Sequence, residues 1–158
     1  MIKIKYTIGI LFRNNFSEVA LILKNRPKWQ AGKYNFPGGH VEENEDFNDC
    51  VRREFKEECN IISRRSDWSH IGKIFNIIPD INSSENYTLE ILTSIYRSDM
   101  GELKTMEDQE VEWFKCNELP ENIISNLIWL IPFAKNWLLQ GNIDRLVFGT
   151  FEYRYDKM

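Results

Sequence analysis

The stretch from Pro37 to Ile61 constrains this chain more than any other. Pro37-Gly38-Gly39 is a tight glycine turn, and it opens onto a helical run that carries Arg53-Glu54-Phe55-Lys56-Glu57-Glu58 near its end. On a helical wheel Phe47, Cys50, Val51 and Phe55 fall at i, i+3, i+4 and i+8 and make one apolar stripe. Glu54 and Glu58 fall on that same stripe, and Glu57 lies at its margin. A face destined for the core therefore turns into carboxylate in its last turns. Burying like-charged carboxylates is costly unless a cation compensates them, and a helix C-terminus repels anions further. The three side chains, at i, i+3 and i+4, project together, and oxygen-only ligands of this kind suit a hard ion, magnesium or manganese. The competing reading is a solvated acidic helix end, with Arg53 pairing to Asp49 and Glu57 at helical spacing.

Composition narrows the setting. The chain has 158 residues, 42% hydrophobic and 28% charged, which fits one soluble globular domain spanning 1–158. A net charge of -4 offers no phosphate-neutralising excess, so stable nucleic-acid binding is not expected, whereas a nucleotide held through a metal is compatible with it. The three cysteines, Cys50, Cys59 and Cys116, form an odd set without a C-x-x-C pair, which points to a reduced, cytoplasmic setting. Lysine alternates with apolar residues at the N-terminus, so no signal-peptide core is expected, and no apolar run is long enough to span a bilayer. The chain is expected to act as a monomer or a homodimer.

Taken in order, residues 2–12 alternate and then turn continuously apolar, as a strand entering the core does. Arg13-Asn14-Asn15 is turn chemistry, and 17–23 reads as the hairpin partner. Residues 26–33 form a cationic and aromatic loop. Asn44 is the expected N-cap of the acidic helix, with Glu45 and Asp46 in its first turn. Strands are expected over 68–78, 87–96 and 110–114, separated by a polar loop at 79–85 and a charged loop at 97–108. Residues 123–139 read as a helical region that Pro132 starts or kinks and Gly141 ends, and 146–155 as a final strand or hairpin arm. This order predicts an α+β fold in which helices cover a mixed β-sheet on both faces.

The spacing in the acidic stretch is more specific than its charge. Gly39, five residues, Glu45, seven residues, Arg53-Glu54-Phe55, one residue, Glu57-Glu58, one residue, then Asn60-Ile61 resembles the Nudix box, G-x5-E-x7-R-E-U-x-E-E-x-G-U, where U is an aliphatic or bulky apolar residue. Asn60 replaces the last glycine. Asn is the next best residue for the left-handed backbone with which helices end, so the departure is mild.

The resemblance implies a Nudix-type α/β/α sandwich with a mixed β-sheet. It also implies hydrolysis of a nucleoside diphosphate linked to another group, X, with Mg2+ or Mn2+ as cofactor. By the same resemblance Glu57 and Glu58 are direct metal ligands, helped by a backbone carbonyl at Gly38 or Gly39. Glu54 is a further ligand or the general base acting on the attacking water. Arg53 holds the carboxylates by ion pairing, and Glu45 supports the helix. A further acid from outside the box is expected among Glu107, Glu110 and Glu112. Glu110 and Glu112 share one strand face, and Glu110 is the named metal candidate.

Tyr34-Asn35-Phe36-Pro37-Gly38-Gly39 and Asn126-Leu127-Ile128-Trp129 are similar to the MutT-like branch of that family. Asn35 and Asn126 then become base-reading candidates, since an amide offers donor and acceptor together. Gly38 and Gly39 join them as substrate-binding positions; against this, both asparagines read equally as turn and cap residues. The implied partner is a small-molecule nucleotide: first a nucleoside triphosphate, ordinary or oxidised, cleaved to monophosphate and pyrophosphate. ADP-ribose, dinucleoside polyphosphates, NADH and a capped RNA end are the alternatives within the family, and a non-catalytic nucleotide sensor is the alternative outside catalysis.

Overall fold

Continuous apolar character at the start of the chain produces a central strand. In the computed structural model, which describes residues 4–76, 87–140 and 149–153, β1 (Ile4–Arg13) is buried without a break from Thr7 to Phe12. Side chains alternate across a strand, so these residues divide between two cores. Ile8, Ile10 and Phe12 join one cluster with Leu127, Leu130 and Ile131, whereas Leu11 joins the other with Val51, Phe55 and Trp68.

The remaining elements are β2 (Glu18–Leu23), β3 (Tyr34–Asn35), β4 (Gly38–His40), α1 (Phe47–Cys59), β5 (Ser69–Asn76), β6 (Tyr87–Ile95), β7 (Val111–Lys115), α2 (Leu127–Leu139) and β8 (Gly149–Tyr153). They form one eight-stranded sheet in the order β3-β2-β1-β6-β5-β8, with β4 added beside β1 and β7 beside β2. The β1–β6 and β5–β8 pairs are parallel and the others antiparallel, so the sheet is mixed. α1 packs on one face and α2 on the other, which is the expected α/β/α sandwich. No helix among the described residues is long and apolar enough to cross a membrane.

Two features position the site. β1 and β2 pair only at Phe12↔Val19 and Arg13↔Glu18, and further along β1 the partner becomes β4, through Ile8↔Gly38 and Thr7↔Gly39. The strands thus part where the glycine turn enters the sheet. Gly9 brings α1 close: a Cβ there would stand 2.8 Å from Val51 Cγ2 and 2.9 Å from Trp68 Cη2.

Several sequence expectations are corrected. Asp46, not Asn44, caps α1, and its side chain accepts from the Asp49 backbone N–H. Asn44 sits at φ 64 in the turn before, and Glu45 also precedes the helix. α2 begins at Leu127 rather than at 123. Ile124 donates its N–H to the Tyr34 carbonyl and Tyr34 donates to the Asn122 carbonyl, so residues 122–124 run alongside β3 instead. Pro132 lies inside α2, so of the two expected roles it does not start a separate helix. The expected strand at 146–155 is represented by β8, parallel to β5. Its remaining residues, the 79–85 loop and Gly141 lie outside the described residues.

Candidate active site

Burial grades the three carboxylates as the helical wheel does. Glu58 is 5% exposed, whereas the Glu54 and Glu57 side chains are 15% and 49% exposed. Desolvation pushes the Glu58 carboxyl up to about 8. The hydrogen bond and charge of Glu54 add to the rise, and Lys24 and the Gly38 backbone N–H oppose it. Glu58 Oε2 is buried without a hydrogen-bond partner. An orphaned acceptor in a low-dielectric site is unfavourable, and a hard cation is the partner that a carboxylate pair would take there. The donor set therefore fits a divalent ion on Glu54 and Glu58. Among the described residues no three His, Cys, Asp or Glu side chains converge as a metal site; the Glu57 carboxylate pairs with Arg53 at 3.2 Å.

The glycine turn fits between Glu54 and the backbone of β1. A Cβ on Gly39 would lie 2.6 Å from Glu54 Cδ, and one on Gly38 would lie 2.8 Å from Ile8 Cα. Glycine at these positions lets the turn lie against the sheet with Glu54 beside it.

Arg53 organises the helix face. Its Nε donates to Glu45 at 2.7 Å, its Nη1 to Glu54 at 2.8 Å, and its Nη2 to the His40 carbonyl at 3.1 Å. The Arg53 hydrogen bond holds the Glu45 carboxyl below its usual range, although burial opposes the shift. Asp49, the other partner expected for Arg53, is paired with Arg52 and Arg65 instead. The helix ends at Asn60 with φ 61, the left-handed conformation expected where the motif has glycine.

A cavity of about 450 Å³ opens where β1 and β2 part, with Gly38 and Gly39 in its wall. Asn35 and Asn126 both line it, together with Lys24, Lys33 and Trp29. The two amides differ. Asn35 is committed inside the protein, its Oδ1 accepting from the Phe36 N–H at 2.8 Å and its Nδ2 donating to Gln30 Oε1 at 3.0 Å. Asn126 precedes α2 and makes no side-chain capping bond.

The loop acids also separate. Glu110 is exposed just before β7, its carbonyl accepting from the Leu23 N–H, and together with Glu112 it adds to the effect of burial in pushing Tyr34 up. Glu107 lies on the loop that returns over the end of α1, where the Met106 and Lys104 N–H groups donate to the Glu58 and Cys59 carbonyls. After burial and the two helix carboxylates, Glu107 also raises the Cys59 thiol. Of the three candidates, Glu107 is thus the one electrostatically tied to the helix end.

One charged group went unnoticed in the sequence. Glu90 is buried on β6 with His70 Nε2 at 2.7 Å and Lys73 Nζ at 3.1 Å. Burial raises this carboxyl, yet the bonds from His70 and Lys73 outweigh it and hold the carboxyl below its usual range. The signal lay in pairing rather than spacing, because Lys73 and Glu90 are cross-strand neighbours.

Comparison with known proteins gives the arrangement a context. The sequence model of the NUDIX domain matches residues 3–135. A protein of Acanthamoeba polyphaga mimivirus named "Putative mRNA-decapping protein" is 31% identical over 100 residues, covering 59% of this chain and 27% of that protein. The chain thus matches about a quarter of that relative's length. The mutator MutT protein of Bacillus halodurans superposes with a TM-score of 0.69 at 24% identity, over 96% of this chain and 91% of that one. The NUDIX domain of Shewanella oneidensis NrtR, solved with ADP ribose, gives a TM-score of 0.68 at 15% identity, over 87% of this chain and 90% of that one.

Proposed function

The chain belongs to the NUDIX family, and from that premise we propose that it is a metal-dependent hydrolase of a nucleoside diphosphate linked to X. The preferred substrate is a nucleoside triphosphate, ordinary or oxidised, cleaved to monophosphate and pyrophosphate. The observation that carries this reading is the buried Glu58, its Oε2 lacking a partner, interacting with the half-buried Glu54 beside the glycine turn that walls the cavity.

Glu54 and Glu58, with the exposed Glu57, are the residues to hold Mg2+ or Mn2+, and a bound ion supplies charge stabilisation at phosphorus and a more acidic water. Glu58 would bind such an ion as the carboxylate, its proton lost to solvent. In this reading Glu54, whose carboxylate lies between Arg53 and the glycine turn, orients the attacking water and accepts its proton. Water adds to phosphorus as the bond to the leaving phosphate oxygen breaks. Arg53 limits the carboxylates to one arrangement. Lys24, in the cavity wall and acting on Glu58, is the nearby cation for the phosphate chain. The Glu110 role passes in this reading to Glu107, which lies on the loop bonded to the Glu58 carbonyl.

The second reading is a capped RNA end as X, and the mimivirus relative favours it. A magnesium-dependent panel of dGTP, oxidised dGTP, ADP-ribose, a dinucleoside polyphosphate and capped RNA, scored by product identity, separates the two. Triphosphates as the best substrates support the first reading. Capped RNA as the best substrate replaces it with the second.

A further inference from the structure

Trp29 breaks the pattern of the other large aromatic side chains. At 49% exposure it alone is exposed among the tryptophans, tyrosines and phenylalanines of residues 4–76 and 87–140, and it lies in the wall of the cavity. An exposed indole forgoes the burial that places most tryptophans largely inside. Among the described residues it pairs with no other ring, whereas Tyr6 and Tyr87, also in the wall, meet each other edge-on at 5.4 Å.

The loop that carries Trp29 is tied at both sides. The Lys24 N–H donates to the Lys33 carbonyl at 2.9 Å, the Gly32 N–H to the Lys24 carbonyl at 2.8 Å, and Asn122 Nδ2 to the Gly32 carbonyl at 2.9 Å. Inside the loop, the Gln30 N–H closes on the Pro27 carbonyl at 2.9 Å, and Gln30 Oε1 takes the Asn35 amide. The indole is therefore presented by a fixed backbone, and its neighbour in sequence anchors a polar group of the same cavity. Fixing an aromatic surface in advance lowers the entropic cost of binding a flat ring.

We propose that Trp29 is the face on which the heteroaromatic base of the substrate stacks, which makes it the residue that distinguishes a nucleotide from a bare phosphorylated sugar. This deepens the nucleotide-hydrolase reading and rests on it for the identity of the ligand. Stacking of a base on an aromatic side chain is worth about 1–3 kcal/mol, or roughly five- to a hundredfold in affinity.

Calorimetry without added metal tests it, using GMP and ribose 5-phosphate as probes with wild type, Trp29→Phe and Trp29→Leu. Melting temperatures confirm that each variant is folded, as its exposure predicts. The expected result is that wild type binds GMP and not ribose 5-phosphate. The phenylalanine variant stays within about threefold for GMP, and the leucine variant loses about tenfold or more. Leucine keeps apolar bulk and removes the ring face, so equal GMP affinity in wild type and Trp29→Leu overturns the proposal. Undetectable GMP binding in wild type, or ribose 5-phosphate binding as tight as GMP, overturns it too. Trp29-dependent GMP binding in a protein that hydrolyses none of the nucleotide panel would leave this inference standing and remove the hydrolase reading.

Discussion

Gly39 and Glu54 compete for one volume: a Cβ on Gly39 would lie 2.6 Å from the Glu54 carboxyl carbon. The glycine of the turn and the glutamate of α1 are therefore one structural unit, although fourteen positions of different secondary structure lie between them.

Gly39→Ala should move the Glu54 carboxylate while leaving every ionisable group in the chain. Displacing a catalytic group by about 1 Å can cost on the order of a hundredfold in rate, and overpacking costs about 1–3 kcal/mol of stability. Steady-state turnover and urea unfolding of the alanine variant check both effects. Turnover within twofold of wild type would show that Glu54 is not held by the turn.

Glu58 should give the metal-free protein a pH signature. Its folded value of about 8 lies above the ordinary 4.5, so the folded state keeps a proton that the unfolded chain has lost. That contribution is complete below 4.5 and is lost as pH rises through about 8. In EDTA, melting temperature should fall over this window, and Glu58→Gln, which cannot ionise, should flatten that part of the curve. Millimolar magnesium should raise the wild-type melting temperature most at the alkaline end, because the cation replaces the proton. Parallel curves for wild type and Glu58→Gln would contradict the assignment.

Asp46 governs the opposite end of the pH scale. The hydrogen bond from Arg65 is the main cause that lowers its carboxyl from 3.8 to about 2, so its contribution is present above 3.8 and is lost as pH falls toward 2. It also caps α1, and removing such a cap costs about 1 kcal/mol. Asp46→Ala should lose about that amount at neutral pH, with a smaller difference from wild type near pH 2, measured by denaturant titration. Asn44→Ala, at the turn residue two positions before the cap, should show no helix-cap loss.

The sequence revealed the acidic helix face because spacing alone places Glu54 and Glu58 among Phe47, Cys50, Val51 and Phe55. The left-handed helix end at Asn60 was legible only through the resemblance to the motif, which has glycine at that position. Contacts between distant segments were not. Nothing local tells that Gly9 makes room for Val51 and Trp68, or that Lys73 and His70 converge on Glu90. The N-cap was misplaced by two residues because Asn44 and Asp46 are both capping residue types, and only the backbone distinguishes the left-handed turn residue from the cap. The helix start at Leu127 was missed because the pairing of 122–124 with Tyr34 overrides an apolar helical pattern.

Asn35 and Asn126 should behave differently despite lining one cavity. Asn35 is bonded to Gln30 and Phe36, so Asn35→Ala should lower stability by about 1 kcal/mol and loosen the Trp29 loop. Asn126 has no capping bond to lose, so Asn126→Ala should keep the melting temperature and flatten discrimination between bases, with KM for the preferred base rising about tenfold. Kinetics with dGTP, oxidised dGTP and dATP, alongside melting curves, separate the two roles. An unchanged base preference in the Asn126 variant would remove it from the base site.

The most direct measurement is product-resolved turnover of dGTP and capped RNA with magnesium, in wild type, Glu58→Gln and Glu57→Gln, with the melting temperature of each variant in EDTA. Release of monophosphate and pyrophosphate from dGTP by wild type, a loss of orders of magnitude in both variants, and an equal or higher melting temperature for Glu58→Gln are the predicted results. Near-normal turnover in both glutamine variants, with magnesium present, would contradict the account at its centre.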